Sequence, residues 1–311
     1  MNPLSIGIEI GGTKIQVGVS SPEGKLLHVT RRKAAMEAGA AGIRAALLAM
    51  TDEALRAVHY RLAEIARIGI GFGGLVDARR GVSIRSFQVD GWENFPLRDW
   101  AEEQWRRPAV IENDACTAGL AECVHGGGRG CERVFYITVG SGVGGGWIVQ
   151  GRVDASQGIG SAEIGHTWMP DPQTGELAEL EQICSGWAIG RRARAAASQT
   201  PATRMIELAG AVEAIEAPVV YAAAQQGDPL AKRLLAETCQ ALGLAIGNVI
   251  TLLRPERVVI GGGVSLMGDL FWQGLREQVA LRAFPYFGAG VEIVPAELGE
   301  EVVVIGALCL A

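Results

Sequence analysis

An aspartate at the end of an apolar strand, two glycine-rich turns and a closely spaced Glu/His pair are the residues of this chain whose types and spacing could do chemistry. The apolar run at 110–111 ends in Glu112-Asn113-Asp114 and passes into a helical stretch at 116–123. Strand ends of this kind are where α/β sheets bind ligands. Asp114 can act there as a general base toward a hydroxyl, with Asn113 beside it, and both residues equally suit the N-cap of the following helix. Residues 134–149, VFYITVGSGVGGGWIV, read as two strands folded across a loop with glycine at 140, 142, 144, 145 and 146. Lacking Cβ atoms, that loop lets backbone N–H groups meet an anion such as a phosphate. Its G-x-G-x-x-G match does not indicate a dinucleotide, because that fingerprint requires a helix next and Trp147-Ile148-Val149 reads as a strand.

A near-repeat strengthens the phosphate reading. IEIGGT at 8–13 and ITVGSG at 137–142 each place one polar side chain, Glu9 or Thr138, in an apolar strand just before a glycine turn. The first of these turns offers Gly11 and Gly12, with the hydroxyl of Thr13 and the ammonium of Lys14 beside them. Two related strand-turn-strand units suit a ligand with two ends, or a chain of phosphates, gripped in a cleft between two lobes.

The elements that must position these groups follow in order. Residues 5–19 form the first hairpin, 26–30 a third strand, and 38–66 carry helical spacing into a buried strand at 68–71. That strand ends in Gly73-Gly74, where backbone could approach a ligand closely. GIGSAEIGH at 158–166 carries Glu163 and His166; two such ligands without a third are a weak metal signal, and hydrogen bonds to a polyhydroxy ligand suit them better. The acids near 179–181 read as solvated surface before a helix start at Ser185-Gly186. A long helix over 231–253 leads to a strand at 257–260 and to Gly261-Gly262-Gly263, against which a flat group such as adenine or ribose could lie. A strand at 291–294 and a last helix at 301–310, packed back on the first lobe, complete the chain.

Composition narrows the class. At 311 residues, with 49% hydrophobic and 20% charged content, the chain supports about two buried cores. The net charge of −6 argues against a nucleic-acid footprint, and the basic cluster Arg191, Arg192 and Arg194 reads as a solvated helix face. Six cysteines without a C-x-x-C pair fit reduced thiols in a cytoplasmic protein. The apolar stretch at 241–253 is too short to span a bilayer, and no export signal is read at the N-terminus.

Taken together, IEIGGTK, ENDA, TVGSGVGGG, E-x-G-H at 163–166, LE-x-x-x-SG at 180–186 and VIGGGVS resemble, in order and along the whole chain, the ROK family of sugar kinases. The resemblance implies an α/β, two-lobed, ribonuclease H-like duplicated fold of the actin and hexokinase type with an interlobe cleft. A smaller N-terminal lobe of 1–113 plus 297–311 and a larger lobe of 114–296 are expected. It implies that Asp114 deprotonates a sugar hydroxyl, with Gly74, Asn113, Glu163, His166 and Glu181 around the sugar. Gly11, Gly12, Thr13, Lys14, Thr138, Gly140, Ser141 and Gly142 would hold phosphates, and Gly262 and Gly263 the adenosine of ATP.

The chain departs from the family pattern in three places. The usual zinc motif CxCGxxGC has no counterpart, since 169–181 contains no cysteine, and zinc is therefore not expected. The usual aspartate of the first loop is Glu9, which would assist Mg²⁺ through water. The frequent asparagine before Trp92 is Gln88, beside Phe87, so sugar preference does not transfer directly. The resemblance implies an ATP- and magnesium-dependent hexose kinase, with glucose the first acceptor. Fructose, N-acetylmannosamine or N-acetylglucosamine kinases and a non-catalytic sugar sensor are the alternatives. A DNA-binding repressor is disfavoured, because the first hairpin begins within ten residues of Met1. No membrane or nucleic-acid partner is expected; a homodimer is, with 179–197 as the candidate face.

Overall fold

Three antiparallel strands open the chain, β1 (Leu4–Ile10), β2 (Lys14–Ser20) and β3 (Leu26–Lys33), in a computed structural model that describes residues 4–34, 38–154 and 158–311. The first turn is closed by the Gly11 N–H donating to the Lys14 carbonyl at 3.0 Å. Helix α1 (Gly39–Ala57) buries Ile43, Leu47, Met50 and Ala54, the three-to-four spacing of an amphipathic helix. It stops well short of the expected residue 66, and a 3-10 turn at Leu62–Glu64 leads into β4 (Ile65–Phe72). The short hairpin β5 (Leu75–Asp77) and β6 (Val82–Arg85), helix α2 (Leu97–Trp105), strand β7 (Ala109–Asn113) and helix α3 (Asp114–His125) follow.

The glycine hairpin is β8 (Arg133–Val139) and β9 (Val143–Val149), extended by β10 (Arg152–Val153). A small two-stranded sheet, β11 (Trp168–Pro170) with β12 (Leu177–Glu179), precedes the helices α4 (Leu180–Cys184) and α5 (Gly186–Ser198). Next come α6 (Arg204–Ala209), α7 (Ala217–Gln225) and α8 (Pro229–Leu253). Asp228 caps α8 by accepting the Ala231 N–H at 2.8 Å, and Pro229 fits the first helical position, where no N–H is needed. By length and composition this 25-residue helix could cross a membrane, which corrects the shorter span expected from its apolar run; 67% of the relevant window is buried inside the protein, as in a core helix. The chain ends with β13 (Arg257–Gly261), α9 (Gly268–Ala280), α10 (Pro285–Gly288), β14 (Glu292–Pro295) and α11 (Val302–Leu310).

Two five-stranded sheets share one plan. The first runs β3-β2-β1-β4-β7 and the second β10-β9-β8-β13-β14, each a meander of three strands followed by two crossover strands. In the first, β1 pairs antiparallel with β2 and parallel with β4, and β4 is parallel to β7; in the second, β13 is parallel to β14. This repetition of strand order is the duplication anticipated from IEIGGT and ITVGSG.

The chain divides into two compact units, one of Met1–Tyr136, Gly146–Ala162 and Glu297–Ala311, the other of Ile137–Gly145 and Glu163–Ala296. The first unit therefore extends beyond the expected boundary at 113. The physical reason is that α3 packs on α11, while α11 also covers β1 and β4. Gly69 permits that close approach, since a Cβ there would overlap the Ala307 carbonyl. The core of the first unit joins Ile6, Ile8, Ile68 and Ile70 to Leu47 and Met50, with Phe72 and Trp92 meeting edge to face at 5.2 Å between ring centroids.

Candidate active site

In the first unit the two polar residues at the end of β7 divide their work. Asn113 is the N-cap of α3: its Oδ1 accepts the N–H groups of Ala115 at 2.9 Å and Cys116 at 3.1 Å, and its Nδ2 donates to the Gly74 carbonyl at 3.1 Å. Asp114 is thereby relieved of the capping task that the sequence left open between them. One of its oxygens accepts the Ala115 N–H at 2.8 Å. The other lies so close to Gly73 that a Cβ there would stand 3.3 Å from it, and equally close to the Cα of Gly11. The first glycine turn, Gly73-Gly74 and the Asp114 carboxylate thus converge at the ends of β1, β4 and β7. Beneath them, buried Glu112 accepts the Asn113 N–H at 2.8 Å; burial raises its carboxyl above the ordinary range, against that single hydrogen bond.

Glu9, near the end of β1, is 6% exposed. Burial raises its pKa, opposed mainly by Lys14, whose ammonium stands 3.6 Å from Oε2 and donates to the Glu300 carbonyl at 2.7 Å. Gln16 donates to the same carboxylate and receives the Arg31 Nε at 2.8 Å. Lys14, expected at a phosphate, is thus engaged with Glu9 and Glu300. The remaining oxygen, Oε1, would lie 3.6 Å from a Cβ at Gly11, so a carboxylate oxygen faces the first loop. That arrangement fits a water-mediated contact to a metal ion carried with a nucleotide. Gln88 lies over Gly12, where a Cβ would overlap its side-chain amide, and the Thr13 carbonyl accepts the Ala34 N–H at 3.0 Å.

In the second unit the glycine loop is held from below by an acid. Glu181, on α4, accepts the Val143 N–H at 2.8 Å, and the Gly140 N–H donates to the Gly142 carbonyl at 2.9 Å. The Gly186 N–H donates to the Gly140 carbonyl at 2.7 Å, which sets the N-terminus of α5, capped by Ser185, against the loop. A helix N-terminus there favours negative charge. Thr138 is half-buried in β8 just ahead of the loop. Glu163 lies near His166 and Glu181: burial raises its pKa, with His166 lowering it and Glu181 raising it further. His166 faces Glu179, Nδ1 to Oε2 at 3.3 Å. The residues present do not fit the family's usual zinc element: 169–181 holds no cysteine, and no group of three His, Cys, Asp or Glu converges among the described residues.

Beside the loop lies a cavity of about 700 Å³ lined in part by Gly140, Ser141, Trp187, Tyr221, Gly263 and Met267. Gly262 turns the chain into it with φ +83°, and a Cβ there would come within 2.5 Å of the Val139 backbone. Two arginines expected on a solvated helix face belong elsewhere. Arg194 lines the cavity and donates to the Ile215 carbonyl at 2.8 Å, while Arg192 is buried between Asp171 at 2.6 Å and Glu237 at 3.2 Å. Charge clustering in sequence suggests solvation, but the amphipathic period of α5 turns Arg192 toward α8.

A model of the ROK family matches residues 5–311. The chain belongs to the ROK family. The glucokinase of Thermotoga maritima is 31% identical over 97% of this chain and 95% of its own length. The crystal structure of a ROK family glucokinase from Streptomyces griseus in complex with glucose and AMPPNP is similar with a TM-score of 0.81 and 32% identity, covering 99% of both chains. The xylose repressor of Caldicellulosiruptor bescii is 24% identical over 98% of this chain and 77% of the repressor.

Several contributors were not singled out in the sequence. Gln16 reaches Glu9 across the β1–β2 pairing and Arg31 reaches Gln16 across the β2–β3 pairing, and alternation along those strands carries the signal. Glu179 is among the acids that the sequence reads as solvated surface. Its place opposite Trp168 in the β11–β12 register depends on a three-residue strand too short to show periodicity. Trp187 and Tyr221 belong to helices whose exposed positions only the fold brings to one cavity.

Proposed function

We propose that this chain is an ATP- and Mg²⁺-dependent hexose kinase that transfers the γ-phosphate to a sugar primary hydroxyl, with glucose the principal acceptor. The observation that carries the reading is the division of labour at β7: Asn113 caps α3, so the Asp114 carboxylate stands beside Gly73 and Gly11 for chemistry. Asp114 takes the proton of the attacking hydroxyl. Gly74, Asn113, Glu163, His166 and Glu181 orient the remaining hydroxyls, and the raised pKa of Glu163 suits a carboxyl that exchanges hydrogen bonds with them. Gly12, Thr13, Thr138, Ser141 and Gly142 offer N–H and hydroxyl donors to the phosphates, Gly11 and Gly140 close the two turns with their own N–H groups, and Lys14 balances Glu9. The cavity with Gly262 and Gly263 receives the adenosine, and the Trp187 and Tyr221 rings suit a base. Mg²⁺ supplies charge neutralisation on the phosphates, and Glu9 would hold one of its waters. In such transfers positioning and electrostatics supply most of the rate.

The similarity along the full length to the Thermotoga and Streptomyces glucokinases supports the choice of acceptor. We place the protein in the cytoplasm, in keeping with six cysteines of which none forms a disulfide. A homodimer through the face at 179–197 is proposed, and light scattering measures it. The decisive experiment is coupled ADP release with glucose, fructose, mannose, N-acetylmannosamine and N-acetylglucosamine. Glucose is expected to give the highest kcat/KM. Saturable glucose binding without ADP release would instead identify a sensor.

A further inference from the structure

His166 can serve a ligand only if something fixes the orientation of its ring, and 169–181 holds no cysteine that could help to do so through a metal. An imidazole presents one nitrogen usefully only when the other is fixed by a partner, because that partner selects the tautomer and the ring angle. Here the carboxylate of Glu179 stands 3.3 Å from Nδ1. Both residues sit on anchored backbone. His166 closes a 3-10 turn, its N–H donating to the Glu163 carbonyl at 3.2 Å, and the Leu180 N–H donates to the Thr167 carbonyl at 2.9 Å. The antiparallel register sets Glu179 opposite Trp168, two residues beyond the histidine.

The far end of the same hairpin is clamped independently. The Asp171 N–H donates to the Glu176 carbonyl at 2.7 Å, and the Asp171 carboxylate receives Arg192 at 2.6 Å; Arg192 in turn reaches Glu237 on α8 at 3.2 Å. The Arg192 side chain is only 9% exposed, so this clamp works at reduced dielectric, where a paired charge is held firmly. A cysteine-free hairpin is therefore fixed at one end by ion pairs and at the other by its junction with α4.

We propose that Glu179 is a positioning residue for His166, accepting the imidazole Nδ1–H so that the ring presents Nε2 to a sugar hydroxyl. The proposal rests on the sugar-kinase reading for its ligand, and the experiment separates the two. Imidazole ¹⁵N spectra of uniformly labelled protein at pH 8, with His166 assigned among the four histidines through His166→Gln, should show the proton on Nδ1 and the lone pair on Nε2. Glu179→Ala should move the proton to Nε2 and raise the glucose KM by about 10-fold or more, with kcat and the ATP KM changed less than about threefold. Glu179→Gln, whose carbonyl oxygen can still accept, should keep the Nδ1–H tautomer and restore the glucose KM to within about threefold of wild type. A wild-type His166 protonated on Nε2, or a Glu179→Ala enzyme with an unchanged glucose KM, overturns the proposal. A wild-type protein that phosphorylates no sugar overturns the kinase reading while leaving the tautomer measurement to stand on its own.

Discussion

Both carboxylate oxygens of Glu122 receive the N–H of Glu297, at 3.0 and 3.1 Å, although 175 residues of chain separate them. The same carboxylate accepts the N–H groups of Leu298 at 2.9 Å and Gly127 at 2.8 Å, and Glu122 is fully buried. It thus gathers the backbone at the point where the chain re-enters the first unit. Glu122→Gln keeps the shape but turns amide hydrogens toward N–H donors. We expect a loss of about 3 kcal/mol, seen as a lower urea midpoint at unchanged slope. A midpoint equal to wild type would show that these bonds contribute nothing net.

Asp114→Asn should leave the melting temperature within about 2 °C of wild type, because Asn113 holds the cap of α3. The turnover number should fall ~10²–10⁴-fold, since an amide cannot take the proton of the attacking hydroxyl. Sugar affinity, measured by calorimetry, should change far less. Retention of more than roughly a tenth of the turnover would remove Asp114 from the base role.

Glu112 gives a pH dependence with a definite sign. Its folded pKa is raised above the ordinary 4.5 by burial, so the folded protein binds the proton more tightly than the unfolded chain. The stability it contributes is complete below that ordinary value and is lost as pH rises through the folded one. Glu112→Gln retains an oxygen for the Asn113 N–H without the charge. The variant should therefore be more stable than wild type at pH 7, by a margin that shrinks as the pH is lowered toward 4. Urea melts across that range provide the measurement, and a margin that grows on acidification would reverse the assignment.

Gly262→Ala meets two obstacles at once, a φ of +83° and the Val139 backbone 2.5 Å from the new methyl group. A left-handed conformation alone costs a non-glycine residue about 1–2 kcal/mol, and backbone on the far side cannot swing away. The nucleotide KM should rise by about 10-fold or more while the sugar affinity stays near wild type. Equal nucleotide KM values for the two proteins would place the adenosine elsewhere.

How much of this was legible in the sequence depends on how local the signal was. The glycine turns at 11–12 and 140–142 and the strand-to-helix step at 113–114 announce themselves within ten residues, because turn chemistry and capping are local. The equivalence of IEIGGT and ITVGSG even anticipated the shared strand order of the two sheets. What sequence could not rank was Asn113 against Asp114 as cap, since both side chains suit the position and only the backbone decides. Nor could it separate Glu179 and Arg192 from solvated neighbours. Their partners, His166 and the Asp171 and Glu237 carboxylates, lie 13, 21 and 45 residues away and meet them only through tertiary structure.

The first unit is assembled from three separated stretches of chain, the last of them Glu297–Ala311, whereas 163–296 of the second unit is continuous. On a ribosome these finish at different times. The continuous stretch can begin to consolidate while α3, β1 and β4 still lack the helix that covers them, and their apolar faces stay uncovered until α11 emerges. Translation order thus makes 297–311 the timing device of the first unit: nascent chains stopped before 297 should be held by chaperones through the N-terminal sheet, and release should coincide with synthesis of α11.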